Sequence, residues 1–150
     1  MKTLLAASLV ILSATISIAQ STGISIAQSI TIPATVLKNF ASRFPDASEV
    51  IWSYNEPEYE ASFKHDDRAF MIFFDGEGEV NIVKNEIMRV ELPTYVNTFI
   101  DREYPGWHVG KALHIDNNGS AFYETLVEKE KESVTLVFDR TGDLLMKVLQ

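Results

Sequence analysis

His65-Asp66-Asp67 is the one place in this 150-residue chain where an imidazole adjoins carboxylates. As a zinc ligand or a general base, His65 would need a second ligand or a nucleophile brought close by the fold. A small metal-dependent or acid/base hydrolase using His65 and its neighbouring acids is therefore the enzymatic alternative. The same three residues lie between two predicted strands, where a polar turn is expected, and the turn is the reading we favour. His108 and His114 are six positions apart around a strand start and share a face only if that strand is regular. Neither H-x-x-x-H nor H-x-H occurs, so no metal site and no cofactor are expected.

Other carboxylates imitate chemistry without completing it. Asp75-x-Glu77-x-Glu79 resembles the start of a calcium loop but lacks the remaining ligands and the distal glutamate. Its counterpart, Asp139-x-Thr141-x-Asp143, loses a carboxylate and keeps the turn glycine, so hairpin turns explain both. Glu60 and Glu124 look like a carboxylate pair, but nothing in the sequence places them within reach of each other. The serines form no G-x-S-x-G elbow and no S-x-x-K. The expectation is a protein that is not an enzyme.

The chain begins with the features of an export signal. Lys2 supplies the positive n-region, residues 4–19 are uncharged and mostly apolar, and Ser17-Ile18-Ala19 puts small residues at the −3 and −1 positions before Gln20. The run is short for a membrane span and is interrupted by small polar residues. A second acceptable site follows Ala27, because "ISIAQS" occurs at both 16–21 and 24–29. Residues 1–19 are thus read as a signal peptide and 20–31 as an N-terminal segment, with a periplasmic or secreted product that does not insert in the membrane. Net charge is −8 and becomes more negative once Lys2 is removed, which argues against nucleic acid or anionic lipid as a partner. With no cysteine, the exported chain has neither a disulfide framework nor a thiol nucleophile.

The elements that must position these residues recur. At an offset of sixty, Ile32-Pro33 falls on Leu92-Pro93, Val36 on Val96, Phe40 on Ile100 and Phe44-Pro45 on Tyr104-Pro105. The i, i+4, i+8 spacing is one apolar stripe of a helix about three turns long. Pro33 and Pro93 suit a helix start, while Pro45 and Pro105 end it. Farther on the offset becomes sixty-four, the extra residues fitting the turn-rich run Asp116-Asn117-Asn118-Gly119. The spacing predicts strands over 49–54, 58–64, 69–75 and 79–84, then 109–115, 121–128, 133–138 and 143–149. The expected fold class is α+β, with two tandem repeats (32–88 and 89–150), each a helix packed on a four-stranded antiparallel sheet.

These motifs resemble the PepSY-like proteins, whose fold is that of the β-lactamase-inhibitor proteins. The resemblance rests on Phe44-Pro45-Asp46-Ala47, Tyr59-Glu60-Ala61, the hairpins Phe74-Asp75-Gly76-Glu77-Gly78 and Phe138-Asp139-Arg140-Thr141-Gly142, and their order. It covers about residues 32–149, with Trp107 standing where the first helix stop has Ala47. It implies small exported bacterial proteins without catalysis, most with no established ligand. The inhibitors proper grip an enzyme with a concave sheet face and carry a disulfide in each repeat, which this cysteine-free chain lacks.

Strand alternation sorts the faces. Tyr59, Ala61, Phe63, Phe70, Ile72 and Phe74, with Tyr123, Thr125, Val127, Val134, Leu136 and Phe138, are assigned to the helix-covered core, whereas Trp52 and Tyr54 stay unassigned. The opposite face carries Glu60, Met71, Phe73, Phe122, Glu124, Leu126 and Val137, an apolar patch with acids beside it. Such a patch marks an interface. The expected partner is a protein or peptide; a second copy of the chain, or residues 24–32, is the alternative cover. A purely structural envelope protein is the other non-enzymatic alternative. N-terminal sequencing of the mature protein should read from Gln20, or from Gln28 if the second site is used. An intact Met1 in a soluble cytoplasmic fraction would overturn the export reading.

Overall fold

A computed structural model describes residues 30–149. The expected signal sequence, both cleavage sites and residues 20–29 lie outside the described residues. Each helix forms on its apolar stripe: α1 (Ala34–Arg43) buries Val36 and Phe40, and α2 (Thr94–Glu103) buries Val96 and Ile100. Pro33 and Pro93 take the N-cap, one position before the first helical residue. At the far ends the Phe44 N–H donates to the Phe40 carbonyl at 2.9 Å and the Tyr104 N–H to the Ile100 carbonyl at 2.8 Å. Pro45 and Pro105 then stop further winding, and Arg43 and Arg102 meet the negative helix ends.

Eight strands follow: β1 (Ser48–Asn55), β2 (Glu58–His65), β3 (Arg68–Phe74) and β4 (Val80–Glu86) precede α2, and β5 (His108–Asn117), β6 (Ser120–Lys129), β7 (Glu132–Asp139) and β8 (Leu144–Leu149) come after it. They form one antiparallel sheet in chain order, β1 to β8. This corrects the expected fold class. There are not two repeats of a helix on its own four-stranded sheet; the described residues form a single open eight-stranded sheet with two ten-residue helices and are mostly β. The seam is the β4–β5 ladder, Ile82↔Asn117 through Glu86↔Leu113. Separate sheets would leave the inner edges of β4 and β5 with unpaired backbone groups. Here α2 and its flanking turns return the chain antiparallel beside β4, so those edges satisfy each other. Two further bonds extend the seam, Ile87 N–H to Ala112 O and Asn118 N–H to Asn81 O, each 3.0 Å.

Both helices lie on the same face. Phe70, Asn85, His114, Tyr123 and Phe138 stand opposite one another across β3 to β7. Phe70 packs under α1 and Phe138 under α2. The α1 core gathers Ala61, Phe63, Ile72 and Phe74, and the α2 core gathers Ala112, Val127, Val134, Leu136 and Phe138. Trp52 belongs to this face: its ring meets Phe40 edge-on at 5.2 Å, and Tyr54 lies 4.8 Å from Tyr59. Between strands and α2, a short 3₁₀ turn (Arg89–Glu91) is stapled by Arg89 to Asp101 and by Asn97 Nδ2 to the Leu92 carbonyl at 3.2 Å.

The β3–β4 and β7–β8 turns press against the helices. Gly78 and Gly142 have φ of +92° and +99°, a region that side chains rarely enter. Asn39 Nδ2 donates to the Gly78 carbonyl at 2.8 Å, and Tyr95 Oη donates to the Asp139 carbonyl at 3.1 Å. A Cβ on Gly78 would stand 3.1 Å from the Thr35 backbone, whereas one on Gly142 would meet the Tyr95 ring at 3.1 Å. Gly78→Ala and Gly142→Ala should each destabilise by about 1–3 kcal/mol. The Gly78 change should cost more, because helix backbone yields less than a side-chain ring. Equal denaturant midpoints for wild type and both variants would contradict this docking.

Candidate binding face

The helix-free face is fixed by the register. Ile51, Ser62, Met71, Lys84, Ile115 and Phe122 form one row across β1 to β6. A second row runs Ser53, Glu60, Phe73, Ile82, and a third runs Glu86, Leu113, Glu124, Val137, Met146. Leu126, Thr135 and Val148 make the next. All seven residues singled out from the sequence (Glu60, Met71, Phe73, Phe122, Glu124, Leu126 and Val137) therefore stand on this face. They do not form one tight cluster. Lys84 and Ile115 separate Met71 from Phe122, and four strand positions separate the Glu60 strand from the Glu124 strand, too far for a carboxylate pair to act together.

Sequence reasoning missed the middle of the face. Ile82, Lys84, Leu113 and Ile115 come from β4 and β5, whose pairing the self-match does not reveal. Their signal was present as alternation: Ile82 and Lys84 flank the helix-side Val83. The far rim, Met146 and Val148, was also missed.

Val137 is only 1% exposed and Ile115 8%, although no helix of the described residues lies over them. Side chains of the face itself bury them. The register shifts at Ser48/Ile51, Phe73/Phe74, Val109/Lys111 and Val137/Phe138 are sites of added local twist. Glu49 adopts a φ of 53° at the first of them.

Polar groups on the face differ in what holds them. Glu60 accepts from Asn55 Nδ2 at 2.9 Å and from Ser62 Oγ at 3.1 Å. Lys84 Nζ sits 5.6 Å from the centre of the Phe73 ring, a cation–π contact that keeps the ammonium over the apolar rows. Glu124 is half-buried between Leu113 and Val137.

The other chemistry candidates separate in space. His65-Asp66-Asp67-Arg68 is a tight β2–β3 hairpin turn, with Asp66 and Asp67 at φ of 49° and 59°, the backbone of a two-residue primed turn. The His65 ring packs edge-on against Phe44 and Phe70 at 5.7 and 5.9 Å, so it closes the end of the α1 core. His114 Nδ1 lies 3.3 Å from Asn85 Oδ1 on the helix side, and His108 Nε2 lies 3.3 Å from Glu128. Three imidazoles thus occupy three unrelated settings. Among the described residues no group of three His, Cys, Asp or Glu side chains could hold a metal. A shallow open cleft of about 340 Å³ is lined by Asp66, Asp67, Arg68, Glu86, Ile87 and Met88. Its one guanidinium, on Arg68, is held by Glu91 at 2.9 Å.

The calcium-like acids serve their own turns. Asp75 Oδ1 accepts from the amides of Glu77 and Glu79, both at 2.9 Å. Asp139 Oδ1 accepts from the Thr141 hydroxyl at 2.7 Å and from the amides of Thr141 and Asp143 at 2.8 and 2.9 Å. The Thr141 hydroxyl bond, followed by the backbone amides, holds the Asp139 carboxyl below its ordinary value.

With this geometry in view, comparison with known proteins places the fold. No protein-family model matches the chain, and no curated protein does. Solved structures do. A putative periplasmic protein from Bacteroides eggerthii superposes with a TM-score of 0.71 at 18% identity, covering 80% of this chain and 90% of that one. A DUF2874 family protein from Bacteroides uniformis gives 0.68 at 22% identity, covering 78% and 88%. A BLIP-like protein from Bacteroides fragilis gives 0.64 at 23% identity, covering 81% and 89%. The chain has a BLIP-like fold. At these identities the likeness shows the fold alone, and the PepSY resemblance rests on the motifs only.

The depressed Asp139 carboxyl gives a pH prediction. A folded value below the unfolded one stabilises above the unfolded value, about 4, and that contribution is lost as pH falls through the folded value. Asp139→Ala should therefore melt below wild type at neutral pH, with the gap narrowing steadily below about pH 4. A gap that stays constant from neutral to acid pH would show that the ionised carboxylate does not hold the turn.

Proposed function

We propose that this BLIP-like chain is an exported, non-enzymatic binding protein that engages a protein or peptide through the helix-free face of its sheet. The observation that carries the reading is the set of half-buried apolar side chains Met71, Phe73, Ile82, Leu113, Phe122, Leu126 and Met146, spread in rows along a sheet face over which none of the described elements packs. Aromatic and methionine side chains are the types enriched at interface centres. The signal-like residues Lys2 and Ser17-Ile18-Ala19 support export to the periplasm or the medium, and among the described residues no helix is long and apolar enough to cross a membrane. The neighbours described as periplasmic and as BLIP-like fit this reading. Its acidic balance favours partners with a basic surface over nucleic acid.

The test compares two baits. Met71→Thr with Phe73→Val trims the first half of the face to the types found at Thr135 and Val137, and should shift the melting midpoint by only a few degrees. Partners retained from the native envelope fraction by wild type should be depleted with the double variant, and the purified pair should bind at least about fivefold more weakly. If both baits retain the same proteins with equal affinity, binding lies elsewhere on the molecule.

A further inference from the structure

An open sheet has two edges, and here they differ. The β1 edge carries the devices that blunt strand addition. Its ladder is interrupted between Ser48 and Ile51, Glu49 sits in left-handed backbone, and the Glu49 carboxylate is tied to Lys64 at 2.8 Å. The β8 edge carries almost none. Its sequence is Leu-Leu-Met-Lys-Val-Leu, without a carboxylate or a proline. One irregularity falls at Leu145, and beyond it Met146 to Leu149 run in register against β7. Exposure is 47% at Leu145, 41% at Val148 and 74% at Leu149, so both sides of the strand present apolar surface to solvent. Its single charge, Lys147, lies back over the Tyr104 ring at 5.3 Å.

We propose that β8 is the contact of a homodimer, in which two copies join edge to edge, β8 antiparallel to β8 about a twofold axis, to make one sheet spanning both. The backbone of an antiparallel pair is complementary to itself under such an axis. Charge selects this edge. A chain of net charge −8 repels its own copy over most of its surface, but β8 offers no carboxylate. Antiparallel pairing also sets the Lys147 half of one strand beside the Asp143 end of the other. Met146 and Val148 then become the centre of a wider helix-free face. This inference does not depend on the partner-binding reading, because it rests on the unpaired backbone edge of β8, although Met146 and Val148 also stand on the helix-free face.

Sedimentation velocity across a roughly hundredfold dilution should show a species of twice the chain mass that dissociates on dilution. Added salt should strengthen association by screening the repulsion of two acidic bodies. Leu145→Lys and Leu149→Lys each put an ammonium into the apolar β8 edge, where pairing would strip its water, and should each weaken the dimer at least roughly tenfold. Ile51→Lys, at a β1 position 69% exposed, is the control and should leave it intact. Amide exchange on wild type gives a readout free of mutation: β8 amides should slow as concentration rises, and β1 amides should not. A monomer at every concentration overturns the proposal, as does a dimer indifferent to both β8 changes or one broken by Ile51→Lys. Intact association with both partner baits alike would sink the binding reading and leave this one standing.

Discussion

The ladder between β4 and β5 is the constraint on which the architecture depends. Five facing residue pairs, Ile82↔Asn117 through Glu86↔Leu113, turn eight strands into one surface. Once the sheet is single, the placement of both helices on one side leaves the whole opposite side without a cover among the described residues. A break at this seam would expose two new edges and divide the helix-free face through its middle, between Lys84 and Ile115. The fold and the candidate face are thus set by the same backbone bonds.

The second constraint is the way helices are held. A ten-residue helix is marginal by itself and takes its stability from packing. Here each one is also gripped by a hairpin turn from the sheet, Asn39 in the middle of α1 on Gly78 and Tyr95 near the start of α2 on the Asp139 carbonyl. The turn is in turn shaped by its leading aspartate, whose carboxylate collects the amides that follow. Acids that imitate a calcium loop in sequence are therefore committed to the backbone, and the helix position depends on them.

Much of this was legible in the sequence, and the boundary is physical. Helix extents followed from Val36/Phe40 and Val96/Ile100 with their flanking prolines, because a 3.6-residue period and a proline stop are local signals. The facing of Ile72 against Met71 followed from alternation. Strand pairing is not local: the same strand list is compatible with two sheets or one, and no residue in β4 or β5 announces that its edge will be occupied. Hence the tandem two-sheet expectation failed while the strand positions and faces were usable. Trp52 and Tyr54 could not be assigned because the bulge after Ser48 shifts the count that alternation relies on. Ile82 and Leu113 were missed for the same reason as the seam.

Two charged groups of the face are already engaged within it. Glu60 is bonded by Asn55 and Ser62, and Lys84 lies over Phe73. A ligand approaching Met71, Phe73 and Phe122 would therefore meet apolar surface first, and desolvating that surface is favourable at about 25 cal/mol per Å². Ile115 and Val137, 8% and 1% exposed, lie below the neighbouring side chains of this surface. On the proposed reading, net negative charge would act at longer range, steering basic partners without fixing their pose. Shape and apolar area on the helix-free face would then set affinity.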